Sequence, residues 1–197
     1  MDGLFAEVIF ADGGSTDDTE QIAQEVGATF LSTPVGRGTQ LTQAAKHARG
    51  EWLLFLHSDS VLGRDWQTSV MRHLKHPQKA AYFKLRFDEN SFPARTVAGW
   101  ANIRASLFGL PYGDQGLLIS QRLYKRVGGY PEIPLMEDVA IARKLRGKFT
   151  ALPVSIETSA EKYRTQGWAK RSLFNFKIVI QYFMGVDPST LYHKYYR

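Results

Sequence analysis

Residues 6–20, AEVIFADGGSTDDTE, and residues 52–59, WLLFLHSD, each run from an apolar stretch into a carboxylate. An unbroken apolar run of this length, bounded by turn-forming residues, reads as a strand buried on both faces. In the first stretch the run AEVIFA ends at Asp12, and Gly13 and Gly14 permit a sharp turn close to a ligand. Asp17 followed by Glu20 fits a capping box, and Gly27 fits a helix end, which predicts a short helix over 18–26. The second stretch ends in His57, Ser58 and Asp59.

Outward from these stretches the pattern continues. A strand is expected at 28–31, a loop at STPVGRG (32–38), a helix at 39–47 and another at 65–74. Strands alternating with helices predict an α/β fold with a mostly parallel sheet, covered by helices on both faces. Ligands of such sheets bind beyond the carboxyl ends of the strands, where both Asp12 and Asp59 fall. Further on, an edge strand is expected at 80–88, a helix at 95–107, a loop at FGLPYGDQG (108–116) and a strand at 117–120. Helices at 121–127 and from 136 or 137 to 145, then a strand at 149–154, complete a domain over 1–160.

The 197 residues suffice for one substantial core. There is no cysteine, which excludes disulfides, thiolate nucleophiles and cysteine-held metals. The start, MDGLFAEVIFADGG, lacks a basic region followed by an apolar run and cleavage site, so it does not read as a secretory signal, and a cytoplasmic location is expected. Most of the net charge of +6 sits in the tail, 161–197. There Lys162, Arg164, Lys170, Arg171, Lys177, Lys194 and Arg197 face only Glu161 and Asp187. This extension contains RSLFNFKIVIQYFMG (171–185), too interrupted by polar residues to cross a bilayer. It reads as helical, packed on the domain, on a partner in a homo-oligomer, or on the inner face of a membrane as a peripheral contact. Nothing in it matches a nucleic-acid reader.

Five segments can carry chemistry. Asp12 is placed to accept hydrogen bonds from a ribose or base edge, or else only caps its own turn. Asp59 offers hard oxygen ligands suited to Mg2+ or Mn2+ beside a diphosphate. His57 either points the same way or is a hydrogen-bonded core residue. Arg37, flanked by Gly36 and Gly38 on an expected flexible loop, can reach phosphate oxygens, assisted by Gln40. In PYGDQG (111–116), Asp114 and Gln115 stand where a sugar hydroxyl or acceptor would arrive. In PLMED (134–138), Glu137 and Asp138 open a helix and either satisfy its free N–H groups or supply a general base. A helix N-terminus lowers a carboxylate's pKa, whereas a close second carboxylate raises it.

Together these motifs resemble the family 2 glycosyltransferases of GT-A fold, from about residue 6 to the C-terminus. VIFADGGSTDDT looks like the family's second-strand motif, LFLHSD its metal-binding strand end, and LMEDVAIARKLR its acidic pair and following helix. GRGTQLTQAAKHARGEWLLFLHSD with LFGLPYGDQG and LMED is similar to the arsenosugar-biosynthesis-type branch. The resemblance implies inverting transfer from a nucleotide diphosphate sugar to a small-molecule or lipid-linked acceptor. It gives Asp12, Gly13, Gly14, Arg37 and Gln40 to the donor and Asp59 to the metal, with His57 in the place of the motif's first acid. Asp138, beside Glu137, would be the base, and Asp114 would lie in the acceptor region. It also implies a sheet without the family's usual first strand, and hence weakened nucleotide binding or instability, with compensating self-association through exposed strand edges. Nucleotidyl transfer, and nucleotide-sugar binding or assembly without catalysis, are the competing functions.

Overall fold

The structure, a computed structural model, describes residues 5–196; residues 1–4 and the tail cation Arg197 lie outside it. The first stretch takes the order of elements read from it, β1 (Ile9–Asp12), α1 (Thr19–Glu25) and β2 (Thr29–Ser32), with β1 parallel to β2 and Asp12 opposite Ser32, but the apolar residues of β1 are only half-buried and not covered on both faces as expected. The expected capping box does not form. Asp17 accepts from the N–H of Thr19 at 3.1 Å, while the N-cap is Asp18, whose side chain makes no capping bond.

A second, five-stranded sheet has the order β3-β6-β5-β7-β4. Its members are β3 (Trp52–Phe55), β4 (Val61–Leu62), β5 (Ala80–Phe87), β6 (Leu117–Ser120) and β7 (Phe149–Thr158). The pairs β3–β6, β5–β6 and β4–β7 are antiparallel, and only β5–β7 is parallel. This corrects the expected mostly parallel sheet: the fold is α/β with a curled, mixed and mostly antiparallel sheet. An apolar run such as WLLF reports that both faces are covered, but carries no information about which way its neighbour runs. β5 is also central and not an edge strand. Its alternating half, where Lys84 and Arg86 reach solvent, reflects partial exposure of one face, while Ala80 to Phe83 are buried.

β1 and β3 each pair along one edge, with β2 and β6 respectively. Both line a single cavity of about 1410 Å³ between the two sheets. Among the described residues no strand lies between them.

The helices hold this frame. α4 (Phe92–Phe108), capped by Ser91, turns Ala94, Ala98, Ala101 and Ala105 inward. These small side chains let the helix lie close to β5. Its Asn102 bonds both backbone groups of Leu85, at 2.8 and 3.1 Å. On the other face, α2 (Arg37–His47), α5 (Gln121–Arg126) and α6 (Glu137–Lys144) contribute Ala45, Leu123 and Ile141 to a cluster with Leu53 and Ile119. Arg37 is thus the first residue of a helix and not part of a flexible loop. A Cβ on the next residue, Gly38, would meet the Pro131 carbonyl oxygen at 2.3 Å, so glycine is what lets α2 approach that backbone.

The described part of the tail is helical: α7 (Glu161–Gln166), α8 (Trp168–Phe183) and α9 (Pro188–Tyr195). Ile178 and Leu191 are buried against Leu135, Met136 and Val139, the segment that carries Glu137 and Asp138. Each such side chain contributes about 1.5–3 kcal/mol on burial, so the tail braces the acidic pair.

Candidate functional site

The cavity between the sheets is lined by Asp12, Arg37, Gln40, His57, Asp59, Tyr112, Gly113, Asp114 and Asp138, among others. Five separate chain segments therefore deliver their polar ends to one space. Asp12 closes β1, and its carboxylate bonds its own turn: Oδ2 accepts from the N–H groups of Gly14 (2.7 Å) and Ser15 (2.9 Å), and Oδ1 from the Ser15 hydroxyl (2.5 Å). The Ser15 hydroxyl chiefly, with these backbone donors, holds its pKa below the usual carboxylate range against the opposing effect of burial. An ionised carboxylate has about four acceptor positions, so one remains for a ligand. Gly14, at φ 104°, permits the turn. Gln40 donates to the Ala11 carbonyl at 3.0 Å and lies against Gly13, bracing this turn from α2.

Arg37 stands at the start of α2 between two partners. Its Nε is 3.0 Å from Glu137 Oε1, and its Nη2 donates to His57 Nε2. Burial alone would lower the guanidinium pKa, but the Glu137 and Asp138 carboxylates outweigh it and raise it. Burial first, and then the Arg37 charge, push the His57 imidazole down to about 4, so it is neutral at pH 7. Its Nε2 lone pair faces a cation, which leaves that nitrogen unable to ligate a metal. Gly113 closes over this pair, since a Cβ there would come within 2.7 Å of both side chains.

The two adjacent acids separate. Asp138 is half-buried and reaches the cavity; its Oδ2 accepts from Gly113 N–H at 2.8 Å and its Oδ1 from Val139 N–H at 2.7 Å. Glu137 is fully buried behind it, in a small recess with Leu41, Phe55 and Tyr130. The 3.0 Å contact with Arg37 is not aligned as a hydrogen bond, so neither Glu137 oxygen has a hydrogen-bond partner. Burial, reinforced by the Asp138 charge and opposed by Arg37, raises its pKa to about 7. Met136 just before it adopts φ 69°, a left-handed conformation uncommon for a residue with a side chain.

Because the folded pKa of Glu137 lies above its unfolded value of 4.5, its contribution to stability is complete below pH 4.5 and lost as pH rises through about 7. Glu137→Gln is expected to flatten the fall in unfolding free energy between these limits, by up to about 1.4 kcal/mol per pH unit. Urea titrations across that range test this; parallel curves for the two proteins would contradict it.

Asp114 lies in a short 3-10 turn (Gly113–Gln115). Its Oδ1 is buried without a partner, and burial raises its pKa despite the nearby Arg104. Gln115 is different: its amide donates to the Phe83 carbonyl and Asn102 and accepts from Arg104, all at 3.3 Å, deep in the core. It holds the loop and has no free polar group for an acceptor. Asp59 is exposed at the cavity wall and makes no hydrogen bond or ion pair among the described residues. No group of three or more His, Asp or Glu side chains able to hold a metal occurs among the described residues. Sequence reasoning missed Arg104, whose guanidinium lies 3.2 Å over the Tyr112 ring, and Lys162, a cavity-lining cation from the tail. Both come from segments without a motif, and no sequence signal marks them.

Against known proteins, the sequence model of Glycosyl transferase family 2 matches residues 2–120, well over half the chain. A TPR repeat-containing protein of Synechococcus elongatus is 35% identical over 82 residues, 41% of this chain and 20% of that protein. The fold is similar to that of a mannosyltransferase from Pyrobaculum calidifontis in complex with GDP-Man and Mn2+. That match has a TM-score of 0.62 at 17% identity, over 95% of this chain and 59% of that one. Glucosyl-3-phosphoglycerate synthase from Mycobacterium tuberculosis, in complex with Mn2+, UDP and glucosyl-3-phosphoglycerate, gives 0.54 at 19% identity, over 81% and 61%. S. aureus TarS gives 0.58 at 18%, over 82% and 32%. This chain therefore spans less than two thirds of each of these proteins, and none of the matches distinguishes a branch within the family. The structural likenesses establish the GT-A fold, and the match over residues 2–120 places the chain in glycosyl transferase family 2.

Proposed function

We propose that this chain carries the donor and acceptor sites of an inverting glycosyltransferase that moves a sugar from a nucleoside diphosphate to an acceptor hydroxyl. The observation that supports it is the convergence of Asp12, Asp59, Asp114 and Asp138, from four separate segments, on one cavity that also holds Arg37. Asp12 keeps one acceptor position for a ribose hydroxyl or base edge. Arg37, tied to Glu137 and His57, retains Nη1 for a phosphate oxygen. Asp59 fits Mg2+ or Mn2+, because a single exposed carboxylate suits a hard cation completed by diphosphate oxygens and water. When bound, the cation offsets the charge of the departing nucleoside diphosphate. His57 does not fit as a ligand, and its place is to hold Arg37.

Asp138 is the base. It takes the acceptor proton as the acceptor oxygen bonds to the anomeric carbon and the bond to the diphosphate breaks, in one displacement without a covalent sugar–enzyme intermediate. Glu137, out of reach of the cavity, positions Arg37. Asp114, with an unpartnered oxygen, accepts from a hydroxyl of the acceptor. The acceptor is a small molecule or a lipid-linked one. Product analysis with UDP- and GDP-sugars and Mn2+ tests the reading. Nucleoside diphosphate and a glycosylated acceptor are expected, whereas release of sugar 1-phosphate, with the nucleoside monophosphate moved to the acceptor, would assign nucleotidyl transfer, and binding without turnover would assign a non-catalytic role.

A further inference from the structure

The two longest helices leave large apolar side chains in solvent. On α4 these are Phe92, Trp100, Ile103, Leu107 and Phe108; on α8 and just beyond it, Leu173, Phe176, Ile180, Phe183 and Met184. Trp100, Ile103 and Leu107 follow helical spacing on the side of α4 turned away from its buried alanines, and Leu173, Phe176 and Ile180 lie opposite the buried Arg171 and Ile178 of α8. Leu107 is 74% exposed, Leu173 69% and Met184 77%. The two helices touch one another. Stripes of this size on a soluble surface mark an interaction site.

Charge says what covers them. Residues 90–113 and 162–186, which include both helices, contain no Asp or Glu and carry seven cations, of which Arg164 is paired with Asp88 and Glu89 and Arg171 is buried. Arg95, Lys170 and Lys177 are exposed beside the stripes. In a symmetric dimer built on this face, the cations would meet one another with no acid of the same face to pair with. An anionic lipid surface satisfies both features, taking the apolar side chains into the acyl boundary and pairing the cations with headgroup phosphates. Among the described residues no helix is long and apolar enough to cross a membrane, so the contact is one of lying on the surface.

We propose that the exposed apolar faces of α4 and α8 dock on an anionic lipid bilayer. α4 ends at Phe108, directly before the loop that brings Tyr112, Gly113 and Asp114 to the cavity, and Arg104 of α4 lies over Tyr112. Docking therefore brings this end of the cavity towards the lipid surface.

Flotation of the full chain with vesicles tests this without reference to catalysis. Phosphatidylcholine vesicles are compared with vesicles in which roughly a third of the lipid is phosphatidylglycerol, at low and high salt. Binding to the anionic vesicles only, weakened by salt and reduced at least about tenfold by Lys170→Glu with Lys177→Glu, is expected. Leu173→Ser with Phe176→Ser, and separately Trp100→Ser with Leu107→Ser, should each release the protein as well. All these residues are exposed, so thermal midpoints report whether each variant is folded. Absence of binding by the wild-type chain, or binding indifferent to the Lys→Glu changes, would overturn the proposal. So would a dimer in sedimentation velocity that the Leu173→Ser and Phe176→Ser changes dissociate, which would give the face to a second copy.

Discussion

Asp138→Asn is expected to lower kcat for sugar transfer by about 10²- to 10⁴-fold, the usual worth of a positioned general base, with KM changed only a few-fold. The asparagine keeps the size and reach of the side chain and its place beside Gly113, but cannot accept the acceptor's proton. One of the two backbone N–H groups now bonded to the carboxylate, Gly113 or Val139, loses its acceptor, at a cost of about 1–3 kcal/mol of stability. Glu137→Gln is the internal control. That side chain is sealed behind Asp138 and does not line the large cavity, so it should retain far more activity. If the two substitutions cost the same in kcat, the base is not Asp138 alone.

Asp59→Asn is expected to reduce Mn2+-dependent kcat/KM by about 10²- to 10³-fold, in line with removal of one preorganised electrostatic contact to the departing group. The thermal midpoint should not move, because the carboxylate is exposed and holds no protein group among the described residues. Raising the Mn2+ concentration should recover part of the loss, since the remaining ligands would come from donor and water. Undiminished turnover would remove Asp59 from the metal site.

The strand ends were legible because hydrophobic burial writes itself into consecutive residues. AEVIFA, WLLF and LLIS all became strands, or contained them, and Asp12 and Asp59 both reached the cavity wall. Strand direction was not legible. β3 finds its partner β6 more than sixty residues downstream, and pairing at that distance is decided by the whole chain, not by either run. The roles of Arg37 and His57 were hidden for a similar reason. Glycines on both sides of Arg37 suggested a flexible loop, but Gly36 is an N-cap with φ 139° and Gly38 is needed for close approach to the Pro131 backbone. The sequence left His57 either a metal ligand or a hydrogen-bonded core residue, and it could not show the guanidinium, twenty residues away in the chain, that meets its Nε2. Gln115 shared a loop with Asp114, yet a 3-10 turn sends it into the core while its neighbour stays at the cavity.

Conversely, residues with no motif turned out to support the site. The tail helices bury Ile178 and Leu191 under the segment bearing the acidic pair, and Lys162, Tyr163 and Arg171 line the cavity. The mixture of apolar and polar residues in 171–185 read as helical but could not say which surface its apolar residues would meet.

A structure of the chain with a nucleoside diphosphate and Mn2+ bound tests the assignment of the cavity most directly. The diphosphate and the cation are expected at Asp59 and Arg37, with the nucleoside towards Asp12 and the space beside Asp138 and Asp114 left for the acceptor. A nucleotide bound away from Asp59, or phosphates turned towards Asp114 and away from Arg37, would contradict it.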